Sequence, residues 1–255
     1  MSVLGFVGRP AYHIYHWAWT GLDWLFPPKC GGCGCPGTRW CLDCQRSTQL
    51  ISAPVCERCG EGHVKTSLCP DCCASPPRYT ALRSWAVFDG SLRTALHKLK
   101  YGRDMALGEV LARPLTTQLM ELKWAVDLVT PVPLGVARQA QRGYNQAALL
   151  AWPLALSSGI AYQPHALAKV RETRTQVGLS MVERKQNVTA AFQARPKIVA
   201  NKRVLLVDDV TTSGATLNAC AEALFQAGAS LVYALTLARA TQHSGVKPYP
   251  HLDSR

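Results

Sequence analysis

The stretch from Val204 to Thr216 limits what this chain can fold into more than any other feature. Val204-Leu205-Leu206-Val207 is aliphatic without alternation, Asp208 and Asp209 follow, and Thr211-Thr212-Ser213-Gly214-Ala215-Thr216 then leads into a helical pattern. A short apolar run that does not alternate predicts a strand covered on both faces, the signature of a parallel sheet between helix layers. Beyond the turn, Leu217, Cys220, Ala221 and Leu224 share one helical face, so Cys220 reads as core and not as a reactive thiol. Open α/β sheets bind ligands at the carboxyl ends of their strands, where the two carboxylates fall. Asp208 and Asp209 accept hydrogen bonds and a sugar diol offers two donors. The hydroxyls and free N–H groups of Thr211, Thr212, Ser213, Gly214, Ala215 and Thr216, above a helix N-terminus, suit a phosphate. A Walker loop is excluded, since no Gly-x-x-x-x-Gly-Lys-Ser/Thr occurs. Acid-clustered phosphatase and receiver domains also end a strand in Asp-Asp, but this hydroxyl-rich turn does not belong to them.

The remaining sequence supports the same architecture. Leu82 to Phe88 reads as a strand and Asp89-Gly90 as a turn, with Ser91 a candidate cap for a helix bearing Leu92, Ala95, Leu96 and Leu99. A second helix carries Leu107, Val110, Leu111, Leu115 and Leu119. Val126 to Pro133 reads as a buried strand, Gly143 to Leu156 as a helix with Pro153 at a kink or end, and Leu231 to Ala238 as a further strand. Ser180-x-x-Glu183 has the form of a capping box. Strands alternating with helices predict a mainly parallel sheet with helices on both faces. No internal repeat is evident.

Ten of the eleven cysteines lie between Cys30 and Cys73. Eight of them form four pairs with two residues between the members: Cys30/Cys33, Cys41/Cys44, Cys56/Cys59 and Cys69/Cys72. That spacing aims both thiolates at one ion and predicts structural zinc, with one or two ions per chain. A secreted disulfide framework would need a leader, and the apolar stretch from Ala11 to Phe26 contains His13, His16 and Asp23 and has no clear cleavage site. Cys35 and Cys73 are spare, and the sharing of ions among the pairs is open. The aromatic N-terminal segment predicts a short helix docked on the protein's own body. Its polar face lacks the Lys/Arg of a membrane-surface helix.

Twenty-eight Lys/Arg against sixteen Asp/Glu give a net charge of +12, so anionic ligands are expected: nucleic acid, nucleotide or pyrophosphate. Three more polar blocks lie where a core would want none. Lys98-Leu99-Lys100-Tyr101-Gly102-Arg103 ends a helix, where cations complement the dipole and can reach an anion. Leu134-Gly135 with Arg138 and Arg142 follows a buried strand, and bidentate guanidinium groups suit pyrophosphate oxygens. Arg171-Glu172-Thr173-Arg174-Thr175-Gln176 is a long polar loop whose Arg171 and Arg174 could close over a leaving group.

Taken in order, the cysteine pairs, Lys-x-Lys-Tyr-Gly, Pro-x-Pro-Leu with Arg-Gly-Tyr-Asn-Gln, Thr-Arg-Thr-Gln with Arg-x-x-Asn-Val, and the Asp-Asp motif resemble the ComF/GntX family over about residues 22–240. Its members join an N-terminal zinc module to an amidophosphoribosyltransferase-like domain of the type I phosphoribosyltransferase fold. The resemblance implies a cytoplasmic protein that binds phosphoribosyl pyrophosphate (PRPP) with Mg²⁺. It also implies links to natural competence, single-stranded DNA uptake with a helicase partner, or use of imported DNA. It assigns Asp208 and Asp209 to the ribose hydroxyls, Thr211 to Thr216 to the 5′-phosphate, and Leu134 to Arg138 to pyrophosphate. Arg171 to Gln176 becomes the mobile catalytic loop, with Arg174 as a catalytic residue. No glutamine-hydrolysing domain is present, and no acceptor is implied.

The expected layout is an aromatic helix (1–27), a zinc module (28–77) joined by Ala74-Ser75-Pro76-Pro77, a phosphoribosyltransferase domain (78–240) and a flexible tail (241–255). No stable membrane insertion is expected. Two functions remain: a phosphoribosyltransferase with an unassigned acceptor, or a non-catalytic PRPP-sensing adaptor for DNA or a helicase.

Overall fold

The computed structural model describes residues 10–25, 27–62, 67–171 and 191–240. The Arg174 loop beyond Arg171, the Ser180/Glu183 capping box and the 241–255 tail lie outside them. Helix α1 (Pro10–Leu25) precedes two cysteine ribbons, each ending in a short helix, α2 (Leu42–Arg46) and α3 (Pro70–Ala74). Then follow β1 (Ala81–Val87), α4 (Gly90–Tyr101), α5 (Leu107–Leu122), β2 (Leu128–Pro131), α6 (Val136–Arg142), α7 (Gln146–Ser158) and β3 (Ala161–Tyr162). The chain continues through β4 (Leu167–Lys169), β5 (Phe192–Ala194), α8 (Pro196–Val199), β6 (Arg203–Thr211), α9 (Ala215–Gln226) and β7 (Leu231–Arg239).

Five strands form a sheet in the order β1-β7-β6-β2-β3, and all four pairings are parallel. β6 shows why its apolar run does not alternate. Leu205 and Val207 enter a core built with α4, α5 and α7, whereas Val204 and Leu206 enter a second core built with α9. All four are 0 % exposed. Both faces of the strand are thus sealed, and its only polar outlet is the carboxyl end. β4 and β5 pair antiparallel and pack on α9, a small hairpin that the sequence reading did not anticipate.

Two local expectations are corrected. Ser91 does not cap α4. Its N-cap is Asp89, and the Ser91 hydroxyl donates instead to the Cys44 carbonyl at 3.2 Å. The helix expected from Gly143 starts three residues later, at Gln146, because Gly143 instead ends a separate helix, α6, in the left-handed region. Asn145 makes that restart. Its Oδ1 accepts from Ala147 N at 2.9 Å, and its Nδ2 donates to Val132 O at 2.9 Å, tying the helix start to the end of β2. Pro153 lies inside α7 and does not end it.

α1 packs on the body as expected. Tyr15 meets the Trp152 ring at 4.9 Å, and Tyr12 donates to the buried Glu109 at 2.8 Å. Trp17 and Trp24 remain exposed. Among the described residues no helix is long and apolar enough to cross a membrane.

Replacing Asn145 by Ala removes both the cap and the tie to β2. Urea unfolding should show a loss of about 1–3 kcal/mol; a change below about 0.5 kcal/mol would mean that α7 needs no anchored start.

Candidate functional site

The cysteine ribbons repeat one another. In the first, Lys29 bridges Pro36, Cys30 and Cys33 sit in the turn, Cys41 caps α2 and Cys44 lies within it. In the second, Val55 bridges Gly62, Cys56 and Cys59 sit in the turn, Cys69 caps α3 and Cys72 lies within it. Cys41 N points at Cys30 Sγ (3.4 Å) as Cys69 N points at Cys56 Sγ (3.3 Å). The repeat escaped the sequence reading because seven residues separate Cys33 from Cys41 but nine separate Cys59 from Cys69.

The thiol spacings identify the ligand. Cys30–Cys44, Cys33–Cys41 and Cys59–Cys69 stand 3.6, 3.7 and 3.6 Å apart. A tetrahedral ion with bonds of about 2.3 Å sets its sulfurs about 3.8 Å apart, whereas a disulfide needs about 2.05 Å. All eleven cysteines are free. The backbone assists. Burial works to raise the Cys30 and Cys56 thiols, but N–H groups of the following turn and of Cys41 or Cys69 outweigh it and hold both at about 6. Cys56, Cys59, Cys69 and Cys72 lie within 4.8 Å of one another, as do Cys30, Cys33, Cys35 and Cys41. With Cys44, five thiols converge at the first site. Correspondence with the second makes Cys44, and not Cys35, the counterpart of Cys72.

The second constellation lies at the carboxyl ends of β6 and β2. Asp209 is 3 % exposed, and its Oδ2 lies 2.6 Å from Lys100 Nζ at the end of α4. Gln146 Nε2 donates to its Oδ1 at 3.3 Å. Arg142 donates to Gln146 Oε1 (2.8 Å) and to the Tyr101 hydroxyl (3.2 Å), and stacks over the Tyr101 ring at 4.8 Å. Three sequence blocks far apart in the chain thus meet on one carboxylate. Asp208 is half-buried; its carboxyl is pushed well up by desolvation first and by the Asp209 charge second, while Lys100 acts in the opposite sense.

Past Thr211 the chain turns through Thr212, Ser213 and Gly214 into α9. Thr212, Ser213, Ala215 and Thr216 are exposed; Thr211 and Gly214 are buried. Gly214 has φ +74°, and a Cβ there would lie 3.1 Å from the Tyr79 hydroxyl, so the left-handed turn needs glycine. Thr211 Oγ1 is buried with no hydrogen-bond partner. Of the other predicted residues, Leu134 and Gly135 lie in the loop before α6, Arg138 is exposed on α6, and Arg171 is exposed at the start of its loop. Cys220 is fully buried, and burial pushes its thiol up.

Two residues at the site escaped the sequence reading. Tyr79 is 2 % exposed, and its phenol is raised by burial and then by the nearby Cys59 thiolate. Arg239 is 4 % exposed at the end of β7 and donates to Cys59 O and to Glu61 Oε2 at 3.1 Å. The available signal was an arginine closing the mostly apolar strand from Leu231 to Ala238.

A parallel sheet with a carboxylate pair and hydroxyl turn at its edge, fronted by paired ribbons, defines a phosphoribosyltransferase-fold protein with a double zinc ribbon. The sequence accordingly matches the family described as double zinc ribbon domain over residues 21–73 and the phosphoribosyl transferase domain over residues 147–253. It is 34 % identical over 206 residues to "DNA utilization protein YhgH" of Salmonella typhimurium, covering 78 % of this chain and 89 % of that one. It is 32 % identical to "Competence protein F" of Haemophilus influenzae, covering 78 % and 90 %. The chain belongs to this ComF-type family of competence and DNA-utilization proteins. It also superposes in part on the allosteric regulatory enzyme of purine biosynthesis, with TM-score 0.38 and 24 % identity, covering 55 % of this chain and 29 % of that one.

The full chain should carry two zinc ions by mass spectrometry of the metal, one for each cluster. Cys44→Ser and Cys72→Ser should each lose one, and Cys35→Ser should keep both. A full complement in Cys44→Ser with a loss in Cys35→Ser would exchange their roles.

Proposed function

We propose that the protein binds PRPP at the carboxyl ends of β6 and β2 and serves the handling of imported DNA or its nucleotides. The observation that carries this is the convergence of Lys100 and Gln146 on Asp209, with Arg142 behind Gln146, beside a hydroxyl-rich turn with an unpartnered buried Thr211. Asp208 and Asp209 accept from the ribose 2′- and 3′-hydroxyls. Backbone N–H groups and hydroxyls of Thr211 to Thr216, at the start of the twelve-residue α9, take the 5′-phosphate. Lys100, 2.6 Å from Asp209, offsets the charge of a carboxylate with almost no access to water.

In this reading Leu134, Gly135, Arg138 and Arg142 meet the pyrophosphate, and Arg171 and Arg174 are the cations of the catalytic loop. Mg²⁺, carried in with PRPP, supplies further charge neutralisation on the diphosphate. In a transfer reaction the C1–O bond to pyrophosphate breaks with its electron pair leaving on oxygen, and the acceptor's lone pair forms the new bond to C1. Cations at the diphosphate stabilise the charge that develops there.

The names of the relatives support the DNA side of the reading, and the net charge of +12 is consistent with anionic partners. The same charge favours a second reading, a PRPP-sensing adaptor that binds single-stranded DNA or a helicase without turnover. The two differ in pyrophosphate release from PRPP and Mg²⁺ with a panel of bases. Turnover assigns the enzyme; no turnover with steeply salt-dependent single-strand binding assigns the adaptor.

Calorimetry should give PRPP binding that falls about 100-fold or more in Asp208→Asn with Asp209→Asn, since each charge-assisted hydrogen bond contributes about 1.5–3 kcal/mol. Equal binding by the folded double variant removes the carboxylates from the ribose.

A further inference from the structure

We infer that the second zinc ribbon is the positioning element of the phosphate loop, so that zinc at Cys56, Cys59, Cys69 and Cys72 and a 5′-phosphorylated ribose at Thr211 to Thr216 bind with mutual dependence. This deepens the reading of that pocket and rests on it.

Arg239 makes the first connection. It is the register partner of Thr211 across β6 and β7, and the next residue's N–H donates to Thr211 O at 2.9 Å. A guanidinium buried this far needs acceptors, and those the structure gives it, Cys59 O and Glu61 Oε2, both belong to the ribbon turn. Cys59 O keeps its place only while the Cys59 thiolate is held in the cluster. The strand end that presents Thr211 is therefore anchored on a metal-organised carbonyl.

Tyr79 makes the second. It stands between the ribbon's thiolates and Gly214, its hydroxyl filling the space a Cβ would need. The linker makes the third. Arg78 N donates to Asn218 Oδ1 at 2.6 Å, and the Arg78 side chain pairs with Glu222 at 2.6 Å, clamping α9 just past the loop.

The ribbon is fixed to β1 as well. Arg58 O accepts from Leu82 N at 2.8 Å, Glu57 O accepts from Arg83 at 2.9 Å, and Gly60, at φ +70°, lies so close that a Cβ would come within 2.5 Å of Leu82 O. The first ribbon touches the other half of the site. Cys30 O accepts from Lys98 Nζ at 3.3 Å, two residues before Lys100. It serves as the internal control.

The test follows transfer of zinc from the full, zinc-loaded chain to a chromogenic chelator, with and without saturating ribose 5-phosphate. Coupling is reciprocal, so the ligand should slow the loss of one of the two ions about tenfold and leave the other unchanged. Arg239→Gln should hold two ions yet lose that protection, and should bind ribose 5-phosphate about tenfold more weakly by calorimetry. Arg239→Lys should recover part of both. If ribose 5-phosphate binds the wild type while both ions leave at unaltered rates, the inference is overturned and the pocket reading stands. If the wild type binds no ribose 5-phosphate, the pocket reading fails and the inference falls with it. Should Arg239→Gln not fold, the wild-type release rates decide alone.

Discussion

The ion pair between Lys100 and Asp209 is the contact on which the site depends. A carboxylate 3 % exposed at the end of β6 has lost most of its hydration, and its partner comes from a helix more than a hundred residues earlier. Desolvation of such a pair absorbs most of its Coulomb gain, so it adds little net stability. Removing one partner is another matter, since an unpaired buried charge costs about 3–5 kcal/mol. The pair thus acts as a register pin: it specifies where α4 must end relative to β6. Gln146 and Arg142 extend the same constraint to the start of α7, and Asn145 fixes that start to β2. One carboxylate therefore sets the relative position of three sheet-edge segments.

The zinc ribbons are bound into the same logic. Among the described residues the second has a buried cluster of Cys56, Cys69 and Cys72, with Cys59 and Leu68 beside it, far too little apolar surface to hold a fold. Metal must supply its order. What the ribbon then offers is a set of backbone carbonyls in fixed positions, which Arg83, Arg239 and the Leu82 amide use as acceptors. The first ribbon is absorbed further. Cys30, Trp40 and Cys44 belong to the main core beside Leu92, Leu96 and Leu107, and Lys98 reaches back to its knuckle. Neither ribbon is a bead on a linker, and each braces a different half of the carboxylate and phosphate constellation.

The fold was legible in the sequence where one short stretch carries the whole signal. Val204 to Val207 announced a strand sealed on both faces because sealing leaves its mark residue by residue. Leu107, Leu111, Leu115 and Leu119 announced α5 for the same reason. The carboxylate pair and hydroxyl turn were legible because a single strand and turn present them together. What stayed hidden depends on pairing across distance. Nothing local in Lys-x-Lys-Tyr-Gly says that the second lysine meets Asp209, and nothing near Arg239 names Cys59 O as its acceptor. The ribbon repeat was masked by unequal loops, and α7 starts later than its pattern suggested because Asn145 caps it while its side chain holds Val132 O. Ser91 failed as a cap because α4 begins one residue earlier, at Gly90, which puts Ser91 inside its first turn.

Charge and shape divide the labour of recognition. The acids buried among the described residues, Glu109 and Asp209, are each met locally by a cation, Arg113 and Lys100. They contribute little to the outward field, so the basic excess acts on the surroundings. A field of that kind raises the local concentration of any anion, phosphosugar and nucleic acid alike, and falls away with salt over about 10 Å. It cannot choose between them. Choice has to come from groups that act only at contact, and the carboxylates of β6, the left-handed turn at Gly214 and the unpartnered buried hydroxyl of Thr211 are groups of that kind. Lys100 ties one side of that constellation to α4, and Arg239 ties the strand end beside Thr211 to the second ribbon, so the spacing of these groups is set by contacts that lie outside the turn itself.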